Sequence, residues 1–241
     1  MQRNSDTFNS FIKNYWWYYK ELEQEFLLTS KYVEISEDNF STYSVEFLKL
    51  YQAVCSEIDV VGKMMASYVN SSFNSDNSKN NIYKWWYELQ DVYVFTEEYP
   101  DILKTDSSVE KKKLQEIECI FVDTYKICPW KNFRTETYVA KGDSHRYRLE
   151  NNSTIPLWWS DYNKVKHNRT SAIETNSTKI NYSKANLKNV SYAFSALYVL
   201  EIAFMEAVGT LNNLEAFADY SDLFVKKENM TTEYINKLLG N

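Results

Sequence analysis

The sequence predicts an all-α helical bundle with a small β-hairpin inserted at about residues 130–155. Apolar residues recur at spacings of three and four over long stretches, which is the pattern of helices that bury one face. Only four Gly and three Pro interrupt the 241 residues, and this scarcity of turn residues favours long helices over many short strands. We expect a single helical domain over residues 1–241, since a chain of this length can bury a sizeable core by itself.

Three segments carry the apolar stripe of an amphipathic helix, and Pro156 stands where a fourth helix begins. The four predicted helices span residues 6–28, 42–69, 157–169 and 184–211. The polar run 71–81 predicts a loop, whereas the aromatic-rich residues 82–95 fit either a short helix or a strand.

The other segments have local signals of their own. Ser107-Ser108-Val109-Glu110 forms a capping box, which predicts a helix that continues to Ile127. Residues 130–155 lack a helical period, and the Thr, Tyr and Val residues around Gly142-Asp143 predict a hairpin over 134–148. Short helices are predicted near 214–226 and 231–239, so we expect any sheet to lie within 82–95 and 130–155.

Cysteine usage and hydropathy predict a cytoplasmic protein without a membrane span. Three scattered cysteines with no CxxC pair indicate reduced thiols and no zinc site, and we expect no metal and no cofactor. Residues 1–6 are polar and lack the apolar core of a signal peptide. The most apolar stretch, 190–208, is interrupted by two Ser and two Glu, so it predicts a buried core helix.

The charge distribution leaves room for one confined anion site. The net charge of −6 argues against a surface that coats nucleic acid. Residues 131–169, however, hold eight Lys/Arg against four Asp/Glu. This local excess fits either a confined anionic ligand or a charge-balanced surface.

One cluster of chemistry-bearing residues lies between Trp158 and Arg169. Residues four apart share a helix face, so Trp159, Asn163 and His167 line up, with Lys164 beside them. A neighbouring row holds Tyr162, Lys166 and Arg169. An imidazole can exchange protons at neutral pH, and adjacent cations can hold an anion.

The segment Tyr162-Asn163-Lys164-Val165-Lys166-His167 resembles the active-site motif of the HEPN superfamily. Asn163 and His167 match that motif, whereas Tyr162 stands at the position of the family's Arg. Lys166 or Arg169 would then supply the cation from another place on the helix. The resemblance implies a small helical bundle, often dimeric, that acts as a metal-independent endoribonuclease in toxin–antitoxin or phage-defence systems.

The resemblance also implies roles for individual residues. His167 would be the general acid or base, Asn163 would orient it, and the cations would stabilise charge on phosphorus. Glu57 borders the apolar stripe of its helix, and we expect it to pair with Arg169, Lys166 or His167. The candidate catalytic residues are His167, Asn163, Lys166, Arg169 and Glu57. The candidate substrate-binding residues are Tyr162, Lys164, Trp159, Arg146 and Arg148. The implied partners are a second copy of the chain, an RNA substrate, and an antitoxin or defence-system protein.

Other interpretations of the same residues stay open. The absence of the motif Arg favours a non-catalytic helical bundle that binds a protein or nucleic-acid partner. A third interpretation is a bundle that holds a small molecule in an aromatic pocket. In these cases His167 and Glu57 are structural residues, and the three Trp-Trp pairs belong to the core or to a dimer interface rather than to base stacking.

Overall fold

The computed structural model of this chain is mostly helical, with small antiparallel sheets. It describes residues 5–77, 79–90, 117–119, 126–140, 145–174, 177–209 and 221–226. The described α-helices are α1 (Ser5–Phe11), α2 (Trp17–Thr29), α3 (Val45–Val69), α4 (Ile82–Leu89), α5 (Leu157–Asn168) and α6 (Leu187–Val208). The four predicted helices are confirmed, and residues 82–89 of the ambiguous segment are helical.

The first predicted helix contains a π-helical segment, Ile12–Trp16, between α1 and α2. The buried residues explain its position, because Phe11 and Trp16 are five apart, which is the spacing of a π-turn. The extra residue turns Trp16 into the core and leaves Trp17 58% exposed. The simple spacing of three and four in the sequence did not predict this change of phase.

Side chains close the first turn of the long helices. The Ser44 hydroxyl accepts a hydrogen bond from the backbone N–H of Phe47 at 3.1 Å at the start of α3. Asn186 does the same at the start of α6, where its Oδ1 accepts from the N–H of Asn189 at 3.0 Å. Such caps satisfy backbone donors that have no partner inside the helix.

The predicted hairpin is present. Strand β3 (Thr135–Val139) pairs antiparallel with β4 (His145–Leu149), with Thr137 opposite Tyr147. The hairpin packs against α4, where the rings of Tyr87 and Tyr147 meet at 5.4 Å.

A second sheet corrects two predicted helices. Strand β1 (Ile117–Cys119) lies between β2 (Lys126–Ile127) and β5 (Phe224–Lys226), and both neighbours run antiparallel to it. The predictions of helix over 107–127 and 214–226 are therefore wrong at these described residues, as is the expectation that sheet is confined to 82–95 and 130–155. The pairing that forms this sheet is not local, because β5 reaches β1 from over 100 residues away, beyond any local sequence pattern. Residues 107–116, 120–125 and 214–220, and the helix predicted at 231–239, lie outside the described residues.

The core is centred on the contact between α3 and α6, which α2, α4 and α5 surround. Gly62 allows α3 and α4 to approach closely, since a Cβ at this position would lie 2.8 Å from the Trp85 ring. Among the described helices, none combines the length and apolar character needed to cross a membrane.

Five buried tryptophans form a continuous series of ring contacts from α4 to α5, which we call the tryptophan chain. Its members are Trp85, Trp86, Trp130, Trp158 and Trp159. Trp86 stacks on Trp130 at 4.6 Å, Trp130 meets the edge of Trp158 at 5.2 Å, and Trp158 meets Trp159 at 5.7 Å. The tryptophan pairs at 85–86 and 158–159 are therefore core residues.

A buried carboxylate attaches the segment before β5 to α2. Glu23 is fully buried, and its oxygens accept hydrogen bonds from the Tyr19 hydroxyl at 2.7 Å and Lys20 Nζ at 2.7 Å. The Ser221 hydroxyl and the backbone N–H of Asp222, the latter at 3.1 Å, also donate to it. One charge thus satisfies donors from two distant parts of the chain.

We expect Glu23→Gln to lower the free energy of unfolding by about 3 kcal/mol, because it replaces one buried acceptor oxygen by an NH2 group that faces donors and removes the charge that pairs with Lys20. Urea denaturation followed by circular dichroism measures the change. Glu25→Gln is the matched control, since Glu25 is exposed on the same helix. Equal stability of the two variants would show that the buried carboxylate does not hold this segment.

Candidate functional site at helix α5

Helix α5 carries the predicted motif and is fixed at both ends. Pro156 precedes it, and its carbonyl accepts from the backbone N–H groups of Trp159 and Ser160, each at 3.0 Å. At the other end the Asn168 carbonyl accepts from Asn181 Nδ2 at 2.9 Å. The side chains along α5 therefore project from a rigid element.

A buried aspartate joins α5 to the start of α6. Asp161 is 5% exposed, and it accepts from Lys184 Nζ at 2.7 Å and Asn189 Nδ2 at 3.2 Å. Lys164 Nζ lies 3.4 Å from the same carboxylate. Sequence reasoning missed this anchor, because both of the stronger partners lie more than 20 residues away and only the fold brings them together.

The C-terminal half of α5 presents a basic surface, which we call the basic end of α5. Its members are Lys164, Lys166, His167 and Arg169, all of which are exposed. Within the described part of the chain, His167 has no hydrogen-bond or ion-pair partner. Asn163, one turn before His167, donates from Nδ2 to the Trp159 carbonyl at 3.1 Å rather than to the imidazole. His167 is thus accessible to a ligand.

A cavity of about 360 Å³ adjoins this surface between α3, the start of α4 and α5, and we call it the α3–α5 cavity. From α5 it is lined by Trp159, Tyr162, Asn163 and Lys166. The polar residues contributed by the other elements are Ser56, Asp59, Lys63, Asn80 and Asn81. The structure therefore brings four of the predicted site residues together with a polar group that sequence reasoning missed. In the sequence, the one local indication of this polar group was the spacing of four between Asp59 and Lys63, which places both on one face of a helix.

The charges in this cavity leave one cation without a carboxylate. Asp59 pairs with Lys63 and also accepts from Trp85 Nε1 at 3.1 Å. Lys166 makes no ion pair with any described residue, and its Nζ lies 5.5 Å from the centre of the Tyr162 ring. Burial raises the pKa of the Cys55 thiol well above its usual value, so this lining residue is protonated at neutral pH. The cavity is therefore suited to a polar or anionic group rather than to thiolate chemistry.

Tyr162, at the position of the family's Arg, belongs to the core. It is 5% exposed and packs edge-on against Tyr51 at 5.8 Å and against Trp159 at 5.3 Å. Burial, with smaller contributions from Cys55 and Asp59, raises its pKa to about 12. Tyr162 therefore stays neutral and supplies an aromatic wall to the α3–α5 cavity.

Three other predicted site residues have surroundings of their own. Arg148 donates from Nε to Glu136 at 2.8 Å across the hairpin, and its guanidinium lies 5.1 Å from the Tyr138 ring. Arg146 is exposed on the same strand. The expected ion pair of Glu57 does not form among the described residues, because Glu57 lies on the side of α3 that faces Tyr15, Tyr18 and α6.

Glu57 is instead close to a second buried carboxyl group, Glu201 of α6. Both side-chain oxygens of Glu201 are buried and have no hydrogen-bond partner in the described structure. Burial raises the pKa of Glu57 to about 7. Burial and the charge of Glu57 raise the pKa of Glu201 well above its usual value. Glu57 is thus a titratable group of the bundle interior, separate from the basic end of α5.

Comparison with known proteins gives no match to a protein family, a curated protein or a solved structure.

We expect Tyr162→Arg to lower the free energy of unfolding by about 3 kcal/mol, because it places a charge in the aromatic core. Tyr162→Phe keeps the ring contacts and should change that free energy by less than about 0.5 kcal/mol. Chemical denaturation of both variants measures the difference. If Tyr162→Arg were as stable as Tyr162→Phe, the position would tolerate the family's cation.

We expect the stability of the wild type to fall relative to Glu57→Gln as the pH rises from about 5 to about 8. The folded pKa of Glu57, about 7, exceeds its ordinary value of 4.5. The folded state therefore binds this proton more tightly, and the resulting stabilisation is present in acid and lost as the pH rises through 7. Unfolding free energies measured across this range provide the check. Glu46→Gln, an exposed site on α3, is the control and should leave the pH profile unchanged.

Proposed function

We propose that this chain is an HEPN-like, metal-independent endoribonuclease of the toxin or phage-defence type, with His167 as its proton-transfer residue. The observation that carries the proposal is the exposed His167 one helical turn after Asn163, beside Lys166 and Arg169. An accessible imidazole next to cations has the two components that RNA cleavage without a metal requires.

The proposed reaction is an attack of the ribose 2′-hydroxyl on the neighbouring phosphorus. A base removes the 2′-proton, the new bond from the 2′-oxygen to phosphorus forms, and the bond to the 5′-oxygen breaks. An acid protonates the leaving 5′-oxygen, and a 2′,3′-cyclic phosphate remains. Lys166 and Arg169 of α5 would stabilise the additional negative charge on the phosphorus oxygens.

Two copies of α5 are part of the proposal. A single imidazole cannot act as base and acid in the same step, so one His167 would accept the 2′-proton and a second would donate to the 5′-oxygen. A homodimer that places two basic ends of α5 side by side would provide both groups. This arrangement agrees with the dimers that the HEPN resemblance implies.

The α3–α5 cavity would hold the nucleotide next to the scissile phosphate. Lys166 and Asn163 belong to both the cavity wall and the exposed half of α5. The aromatic walls, Trp159 and Tyr162, suit contact with a nucleobase of the RNA. The polar residues of α3 and of the start of α4 offer that nucleobase hydrogen-bond partners.

A second candidate function is a non-catalytic RNA- or protein-binding bundle. The observation that favours it is the burial of Tyr162, a neutral side chain, at the position of the family's Arg. In this case the basic end of α5 would contact phosphates or a protein, and His167 would contribute only to binding.

We expect His167→Ala to reduce cleavage of a labelled single-stranded RNA by about 10²–10⁴-fold, and wild-type cleavage to persist in a chelator. His145→Ala is the matched control, since it removes the other histidine of the chain. Light scattering checks that all three proteins are dimeric, and circular dichroism checks that they are folded.

The outcomes separate the two functions. Cleavage by wild type and His145→Ala, but not by His167→Ala, supports the endoribonuclease. RNA binding without cleavage by all three proteins contradicts it and supports the binding module. Cleavage that His167→Ala retains would indicate another catalytic residue or a contaminating nuclease, and would overturn the role of His167.

A further inference from the structure

A larger cavity, of about 560 Å³, lies on another part of the fold, and we call it the α5–α6 cavity. The turn after β2, the residues just before α5 and the first turns of α5 and α6 surround it. Its volume falls in the range of sites for small organic ligands.

The apolar wall of this cavity is held rigidly. Pro129, Ile155 and Trp158 contribute to it, and Trp158 Nε1 donates to the Pro129 carbonyl at 2.9 Å. The backbone N–H of Thr154 donates to the Asn132 carbonyl at 2.8 Å, and this bond holds the segment before α5 against the turn after β2. Asn132 has a left-handed backbone with φ of 55°, a conformation that Asn tolerates better than most residues. The site is thus formed before any ligand arrives.

The charged residues of the lining are both cations. Lys131 and Lys188 line the cavity, and no Asp or Glu belongs to the described lining. Two described carboxylates on the adjoining segments have cationic partners, since Glu150 pairs with Arg134 at 2.9 Å and Asp161 pairs with Lys184 at 2.7 Å. Lys188, which is exposed and makes no ion pair with any described residue, therefore gives this cavity a positive charge in a protein with net charge −6.

We propose that the α5–α6 cavity binds a small organic anion, with an apolar body against Ile155 and Trp158 and a carboxylate or phosphate monoester near Lys188 and Lys131. The side-chain amide of Asn132 and the hydroxyl of Tyr192 lie in the same lining. Each of these groups can donate a hydrogen bond to the ligand or accept one from it. This site does not depend on the basic end of α5 or on RNA cleavage.

Cys128 provides a reporter inside the cavity. Its thiol is half-buried, lines the cavity and is not in a disulfide, whereas Cys55 is fully buried. The rate of Cys128 alkylation by N-ethylmaleimide, followed on its peptide by mass spectrometry, therefore reports occupancy. The probes are phenyl phosphate, phenylacetate, inorganic phosphate and the neutral benzyl alcohol.

We expect phenyl phosphate and phenylacetate to slow alkylation of Cys128 in a saturable way, at concentrations where benzyl alcohol and inorganic phosphate have little effect. Lys188→Ala should weaken the apparent affinity for phenyl phosphate by about fivefold, the scale of a solvent-exposed ion pair. Lys179→Ala is the control, because this exposed lysine lies outside the cavity. Both lysines are exposed, so neither substitution removes a core contact.

Two results would overturn the proposal. If benzyl alcohol protects Cys128 as well as phenyl phosphate does, the site selects apolar groups and the lysines have no role. If Lys188→Ala and Lys179→Ala change the apparent affinity for phenyl phosphate to the same extent, Lys188 does not bind the anion and the proposed site is wrong. If both aromatic anions protect Cys128 from alkylation, and only Lys188→Ala weakens this protection, the proposal is supported. The two aromatic anions then decide whether a phosphate monoester or a carboxylate is preferred.

Discussion

The close approach of α3 and α4 at Gly62 is the constraint on which the rest of the structure depends. Trp85 lies directly over this glycine, so a larger residue would force the two helices apart. Trp85 is also the first member of the tryptophan chain, which passes through Trp130 to the start of α5. The chain ends at Trp158 and Trp159, and these two rings line the α5–α6 and α3–α5 cavities respectively. A shift at Gly62 would therefore reach both cavities.

The helices could be predicted because their signal is local. A stripe of apolar residues identifies a helix without reference to the rest of the chain, and this was sufficient for α3 and α6. The sheet of β1, β2 and β5 could not be predicted in the same way. Each of its strands is two or three residues long, and the pairing of Ile117 with Lys226 exists only in the folded chain. The capping-box signal at Ser107 was a local cue, and tertiary pairing overrode it at 117–119.

In the candidate site, too, the local features could be predicted and the tertiary contacts could not. Helical spacing was enough to place Asn163, Lys166 and His167 on one part of α5, because they lie within two turns of one another. It could not show that Tyr162 faces inward, since that depends on Tyr51 of another helix. Nor could it assign a partner to Glu57. The sequence indicated that this residue borders the apolar stripe, but not that α6 lies opposite with a second carboxyl group.

The burial of Glu201 and Glu57 changes the meaning of the formal net charge of −6. That count treats all 33 Asp and Glu as ionised, which describes the unfolded chain at neutral pH. Because burial raises the pKa of both glutamates, the folded protein holds protons that the unfolded chain releases. At these two groups, folding in neutral buffer is therefore accompanied by proton uptake, which makes their contribution to the charge of the folded protein less negative than the formal count.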